Sequence, residues 1–226
     1  RIAKVPAMNR TFLVNILFLV FVNLLVKPFY LFAIDRQVQN TLPAGEYGIF
    51  ATLFGFSFLF QIINDFGIQG YNNRRIAQHS HLLSKYFPDF LMLKVVLGVA
   101  YALVVLTAGW ATGYLWRYPW LLGGILLNHF LTSLLLFLRS NVSGLAMYRI
   151  DSLLSVVDRF VLIVLLGSCL WVTTLRPYLQ LEWFIGAQTI ALSMSCLLAL
   201  GVIRPHLKRL RLRVRPRLLL VILRQS

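Results

Sequence analysis

A chain of 226 residues that is 59% hydrophobic and only 13% charged is too apolar for an ordinary soluble domain, where about a quarter of the residues carry charge. Its formal net charge of +15 would suit a nucleic-acid binder if the basic residues lined a soluble face. They cluster instead between long apolar blocks, which excludes nucleic acid as the expected partner and reads as a membrane topology signal.

A spanning helix needs about 20 apolar residues. Six blocks meet that length: 11–34, 46–68, 88–112, 119–139, 152–173 and 180–203. The expected fold class is therefore an all-α membrane protein, a bundle of six transmembrane helices. Short polar connections join them: LPAGE, GYNNRRIAQHSHLLSKY, GYLWRYP, SNVSGLAMYRI and TLRPYLQ. Six spans leave both ends on one side. A cytoplasmic N-terminus places sixteen Lys and Arg residues in the inner loops and tail, against Arg36, Arg117 and Arg176 outside. Tyr30, Tyr47, Tyr114, Trp116, Tyr118, Trp120, Trp171, Tyr178 and Trp183 gather near the outer ends, as an interfacial belt does.

The informative residues are the charges inside these blocks, since each costs about 2.5–3.5 kcal/mol at a helix centre on insertion scales. The first block contains NLLVKPFYLFAIDRQVQN. Lys27 lies about 12 Å below Asp35 along a helix, and Pro28 removes a backbone donor beside it. Asn23 sits one turn below Lys27 on the same face. The expectation is a bent first helix whose polar side lines an aqueous path, with Asp35 and Arg36 at its outer mouth. A structural ion pair of Lys27 with Asp65 or Asp158 is the competing reading.

Further along, the second block ends FQIINDFGIQGYNNRRIAQ. Asp65 there is expected either to pair with Arg74 or Arg75 or to close the helix while those arginines meet phosphate headgroups. Lys94, six residues into the third block, is expected to snorkel to the inner surface. The fourth block carries Asn128, His129, Thr132 and Ser133 and ends at Arg139. The fifth opens YRIDSLLSVVDRF, whose Asp151, Ser155 and Asp158 form a polar stripe at helical spacing. Arg159 adjoins that stripe, but neighbours on a helix point about 100° apart, so Asp158 and Arg159 are expected to find partners elsewhere. Lys27, Lys94, Arg139 and Arg159 outnumber Asp65 and Asp158. A cavity of that sign favours a phosphate over a cation.

No phosphate loop, metal-ligand spacing or nucleophile elbow appears, so neither an enzyme nor a cofactor is expected. His79 and His81 read as solvated loop residues. The tail RPHLKRLRLRVRPRLLLVILRQS alternates basic and apolar residues, suited to the anionic inner-leaflet lipids or to a cytoplasmic linker. Beginning at Arg1 and ending just after LLLVIL, the chain reads as a piece of a longer protein. Residues 1–203 form one six-span lobe in this reading, and 204–226 a basic cytoplasmic linker.

The stretches VNLLVKPFYLFAIDRQVQN, EYGIFATLFGFSFLFQIINDFGIQGYNNRRIAQ and LRSNVSGLAMYRIDSLLSVVDR resemble the oligosaccharide flippase family, which shares a superfamily with the multidrug and toxic-compound extrusion transporters. The resemblance covers most of residues 10–160. It implies one lobe of a two-lobe, alternating-access transporter of the bacterial cytoplasmic (inner) membrane. Its partners would be a C-terminal lobe and a polyprenyl-pyrophosphate-linked oligosaccharide used for surface polysaccharide, such as lipopolysaccharide. Lys27, Asp35, Arg36, Asp65, Arg139, Asp158 and Arg159 match charged positions of that pattern. Lys27, Arg139 and Arg159, with Asn23, are the expected substrate contacts. Asp65, Asp158, Asp35 and Arg36 are the expected ion-pair or coupling residues. A cation-coupled drug antiporter on the same fold, a membrane-embedded glycosyltransferase or polymerase, and a non-transporting scaffold are the alternatives.

Overall fold

The computed structural model describes residues 10–43, 45–79, 83–172 and 180–207. Their regular structure is all helical, with no strand among them. The elements are α1 (Arg10–Phe29), a π-helical segment (Tyr30–Asp35), α2 (Arg36–Thr41), α3 (Glu46–Phe58), α4 (Gln61–Asp65), α5 (Ile68–Gln78), α6 (Leu83–Ala111), α7 (Tyr114–Arg117), α8 (Pro119–Gly144), α9 (Tyr148–Trp171) and α10 (Leu181–Ile203). The tail from residue 208, and His81, lie outside the described residues.

Among the described residues four helices are long and apolar enough to cross a membrane, and the pair α3 with α4–α5 makes a fifth candidate. The chain is thus a multi-pass membrane protein. Large apolar side chains such as Leu24, Phe32, Leu103 and Leu197 are exposed on its outside, where lipid takes the place of water. All five tryptophans sit at one end of the bundle, at the end of α6 (Trp110), on α7 (Trp116), at the start of α8 (Trp120), at the end of α9 (Trp171) and at the start of α10 (Trp183). Trp116 and Trp120 are 74% and 87% exposed, as headgroup-level rings should be.

One sequence expectation gains detail and another changes. Pro28 lies inside a continuous first helix. The chain stays helical from Arg10 to Thr41, and the disturbance appears just after the proline as the wider π turn Tyr30–Asp35. The second block, expected as a single span to residue 68, is broken at Leu59–Phe60, with its two parts bent by 55°. A second interruption follows at Phe66 and Gly67, both in the left-handed region at φ of 42° and 71°. Beyond it α5 is polar and basic, but it buries Ile68, Asn72 and Ile76 against α8.

Helix α8 is the hub, packed on α10, α5, α9 and α3. Its Pro119 occupies the first turn, where a missing N–H costs nothing. Two apolar cores stack along it. Leu122, Ile125 and Leu126 join one with Ile34, Leu53, Tyr101, Leu166 and Phe184. Leu135, Phe137, Leu138 and Val142 join the other with Ile68, Phe87, Leu154 and Ile203. Between these stretches of α8 stand the buried polar residues Asn128, His129 and Ser133. Asn128 donates to the Ile185 carbonyl, and the Thr189 hydroxyl donates to its Oδ1, which ties α8 to α10.

The approach of α5 to α8 depends on Gly144. A Cβ there would stand 2.8 Å from the Ile76 Cβ and 3.3 Å from the Asn73 carbonyl oxygen. Gly144→Val is expected to destabilise the chain by about 1–3 kcal/mol through overpacking. Gly186→Ala, where a Cβ meets open space, is expected to be neutral or slightly stabilising. Thermal unfolding of both variants in detergent checks the contrast; equal midpoints would remove the close-packing argument.

Candidate functional site

The charged residues divide into an open seam, where α9 lies against α1 and α8, and a second cluster at the break in the second span, built on a buried lysine and an aspartate about one-third exposed. The seam is built as a ladder. At its lower rung the Arg139 Nε of α8 donates to Asp151 Oδ1 at 2.8 Å, across the turn Leu145–Met147. Both side chains remain about one-fifth exposed. One turn along α9, the Ser155 hydroxyl donates to Asn23 Oδ1 at 3.0 Å and fastens α9 to α1.

Above that rung come Lys27 on α1 and Asp158 and Arg159 on α9. Lys27 is exposed and lies within electrostatic reach of Arg139, Asp158 and Arg159. It has no hydrogen-bond or ion-pair partner among the described residues. Arg159 lies with its guanidinium 4.9 Å from the Tyr30 ring centre and its Nε 3.5 Å from Asp158 Oδ2. The expectation that these neighbours would not pair is thereby corrected, because the long arginine side chain folds back over Tyr30 and brings Nε within reach. At the top, Asp35 accepts a hydrogen bond from the Tyr47 hydroxyl at 3.0 Å. Arg36 points elsewhere, exposed and donating to Gln39 Oε1.

The seam's charge balance differs from the expected positive excess. Lys27, Arg139 and Arg159 face Asp35, Asp151 and Asp158, three of each sign. Among the described residues Lys27 is the seam cation without an ion-pair partner. The seam is an open face rather than an enclosed chamber. A cleft of about 520 Å³ lies away from it, between α3 and the α6–α8 connection, and is lined by residues including Gly48, Thr52, Thr112, Tyr114 and Arg117.

The cluster at the break overturns the reading of Lys94. Its side chain is fully buried and does not snorkel. Its Nζ donates to Asp65 Oδ1 at 2.5 Å, to the Asn64 carbonyl at 3.1 Å and to the Ser133 hydroxyl at 2.8 Å. Asp65 thus finds Lys94 on α6, not Arg74 or Arg75. Arg75 packs against the rings of Tyr71 and Tyr86 and donates to the Tyr71 hydroxyl, while Arg74 is exposed. Gln61 and Asn64 both donate to the His129 carbonyl.

Sequence reasoning missed Asp151 as the partner of Arg139, and Ser133 and Asn64 as partners of Lys94. The first was accessible in principle, since a tight turn sets the end of one helix beside the start of the next. The second required knowing that the second span breaks. Among the described residues no group of His, Cys, Asp and Glu is placed to hold a metal ion, and Cys169 and Cys196 are buried free thiols.

Residues 12–224 match the model of a family described as polysaccharide biosynthesis protein. No curated protein and no solved structure matches the chain. The Arg139–Asp151 pair makes a direct test of the seam. A double-mutant cycle of Arg139→Gln and Asp151→Asn is expected to give a coupling energy of about 1 kcal/mol, at the upper end for a partly exposed pair. Additive effects in unfolding experiments would show the pair to be incidental.

Proposed function

The chain belongs to the polysaccharide biosynthesis protein family, and from that premise we propose that it forms one six-span lobe of a flippase. The cargo is a polyprenyl-pyrophosphate-linked oligosaccharide, moved from the inner to the outer leaflet of the bacterial cytoplasmic membrane by alternating access. Residues 1–203 supply the lobe. The basic tail, cytoplasmic like the N-terminus, leads toward a second lobe. No catalytic step is assigned to the chain.

The observation that carries this reading is the seam: Lys27, Arg139 and Arg159 share one electrostatic neighbourhood on three membrane helices. The physical problem of such a cargo is its pyrophosphate, whose charge cannot enter hydrocarbon without partners. Its polyprenyl chain can stay in lipid throughout. Lys27 offers an unpaired ammonium at once. Arg139 and Arg159 are held by Asp151 and Asp158, and a phosphate can replace those carboxylates, since guanidinium groups bind either in the same bidentate fashion. Partner exchange of this kind makes the cations available when cargo arrives and compensated when it leaves. Tyr30 beneath Arg159 keeps the guanidinium in place through the exchange.

The three carboxylates of the seam favour one competing reading, a cation-coupled drug antiporter, in which Asp35, Asp151 and Asp158 take the cargo instead. The two readings separate in cells that carry the complete transporter. Lys27→Gln, Arg139→Gln and Arg159→Gln are each expected to lower surface glycan export at least about tenfold, the loss of one charge-assisted hydrogen bond of roughly 1.5–3 kcal/mol. Lys27→Arg is expected to keep most of the activity. Full export by all three Gln variants at normal protein levels would sink the phosphate role, and drug sensitivity that follows Asp158→Asn instead would favour the antiporter.

A further inference from the structure

The surroundings of Lys94 are those of a cation site, and the ammonium fills it. An ammonium has three N–H donors, and all three are spent on oxygens of two different helices: Asp65 Oδ1 and the Asn64 carbonyl on α4, and Ser133 Oγ on α8. The side chain is fully buried. The Asn64 carbonyl lies at the end of α4, where Phe66 and Gly67 turn left-handed and the helix stops. It accepts the Ser133 hydroxyl at 3.1 Å as well as the Lys94 Nζ.

Carboxylate, freed carbonyl and hydroxyl form a hard oxygen set of the kind that holds Na+ at interrupted membrane helices. The charge fits too. Asp65 is the single carboxylate in contact with Lys94, so one positive charge neutralises the site. A divalent ion would leave one charge uncompensated within the membrane. Two more buried oxygens of the same short helix, Gln61 Oε1 and Asn64 Oδ1, have no hydrogen-bond partner. Asn64 itself is completely buried. The break therefore carries more oxygen than Lys94 alone uses.

We propose that the Lys94 ammonium is a built-in monovalent cation for the broken second span, seated where a free Na+ would otherwise bind, and that a chain lacking it takes up Na+ at the same oxygens. The cation is then built into the break, whose geometry does not depend on external sodium. The inference stands apart from the flippase reading, since it concerns the fold of the lobe and not its cargo.

The test compares thermal unfolding of the purified chain in NaCl and in choline chloride at equal ionic strength. The wild type is expected to unfold at the same temperature in both. Lys94→Ala is expected to unfold lower in choline chloride and to regain roughly 3–8 °C in NaCl, and Lys94→Ala with Asp65→Asn is expected to lose that response. Identical midpoints for Lys94→Ala in the two salts overturn the proposal, as does a wild-type sodium response as large as the variant's. Should Lys94→Ala fail to fold, Lys94→Gln, which retains a donor for Asn64 and Ser133, is measured in the same way. Failure of both variants to fold in NaCl also overturns it, because sodium is then no substitute for the ammonium.

Discussion

In a bilayer, every backbone N–H and C=O without a helical partner must find another inside the protein. That constraint explains why the polar residues of this chain are where they are. The second span is interrupted twice, at Leu59–Phe60 and at Phe66–Gly67, and a carbonyl beside each interruption takes side-chain donors. Tyr101 donates to the Ser57 carbonyl, and Lys94 and Ser133 donate to that of Asn64. Polar groups on α6 and α8 thus complete a backbone that hydrocarbon alone would leave costly.

The same constraint sorts the charges into two kinds. Lys94 and Asp65 are local to the break; the lysine is buried, the aspartate about one-third exposed, and their pairing is short and supported by neutral hydrogen bonds. Such a pair resists change, because separating its members strands the buried ammonium without water. The seam on α1, α8 and α9 is of the other kind. Its pairs are partly exposed, its carboxylates and cations balance, and Lys27 has no ion-pair partner among the described residues. Groups held this loosely can trade partners, which is what binding a charged cargo requires. One cluster suits a fixed scaffold and the other an exchanging surface.

The small residues and aromatic rings set the frame in which both clusters sit. Gly144 lets α5 lie against α8, which anchors the chain beyond the break. Tyr30, at the start of the π-helical segment, supports Arg159. Widening the helix directly after Pro28 preserves its course toward Asp35 while absorbing the lost donor. Asp35 can therefore still reach Tyr47 on α3.

Sequence by itself determined the membrane class, the approximate limits of the apolar helices and the residues worth suspecting, because hydrophobic length and the cost of buried charge are local quantities. Lys27, Asn23, Asp158, Arg159 and Arg139 were all legible as anomalies in apolar runs. Partnership was not. Whether Lys94 reaches water or an acid depends on the bend of another helix, and whether Arg159 stands apart from Asp158 depends on the ring that Tyr30 places beneath it. Only the tertiary structure decided these, for a physical reason: an ion pair in a membrane is fixed by the distance between helices, and no spacing along one helix encodes that distance.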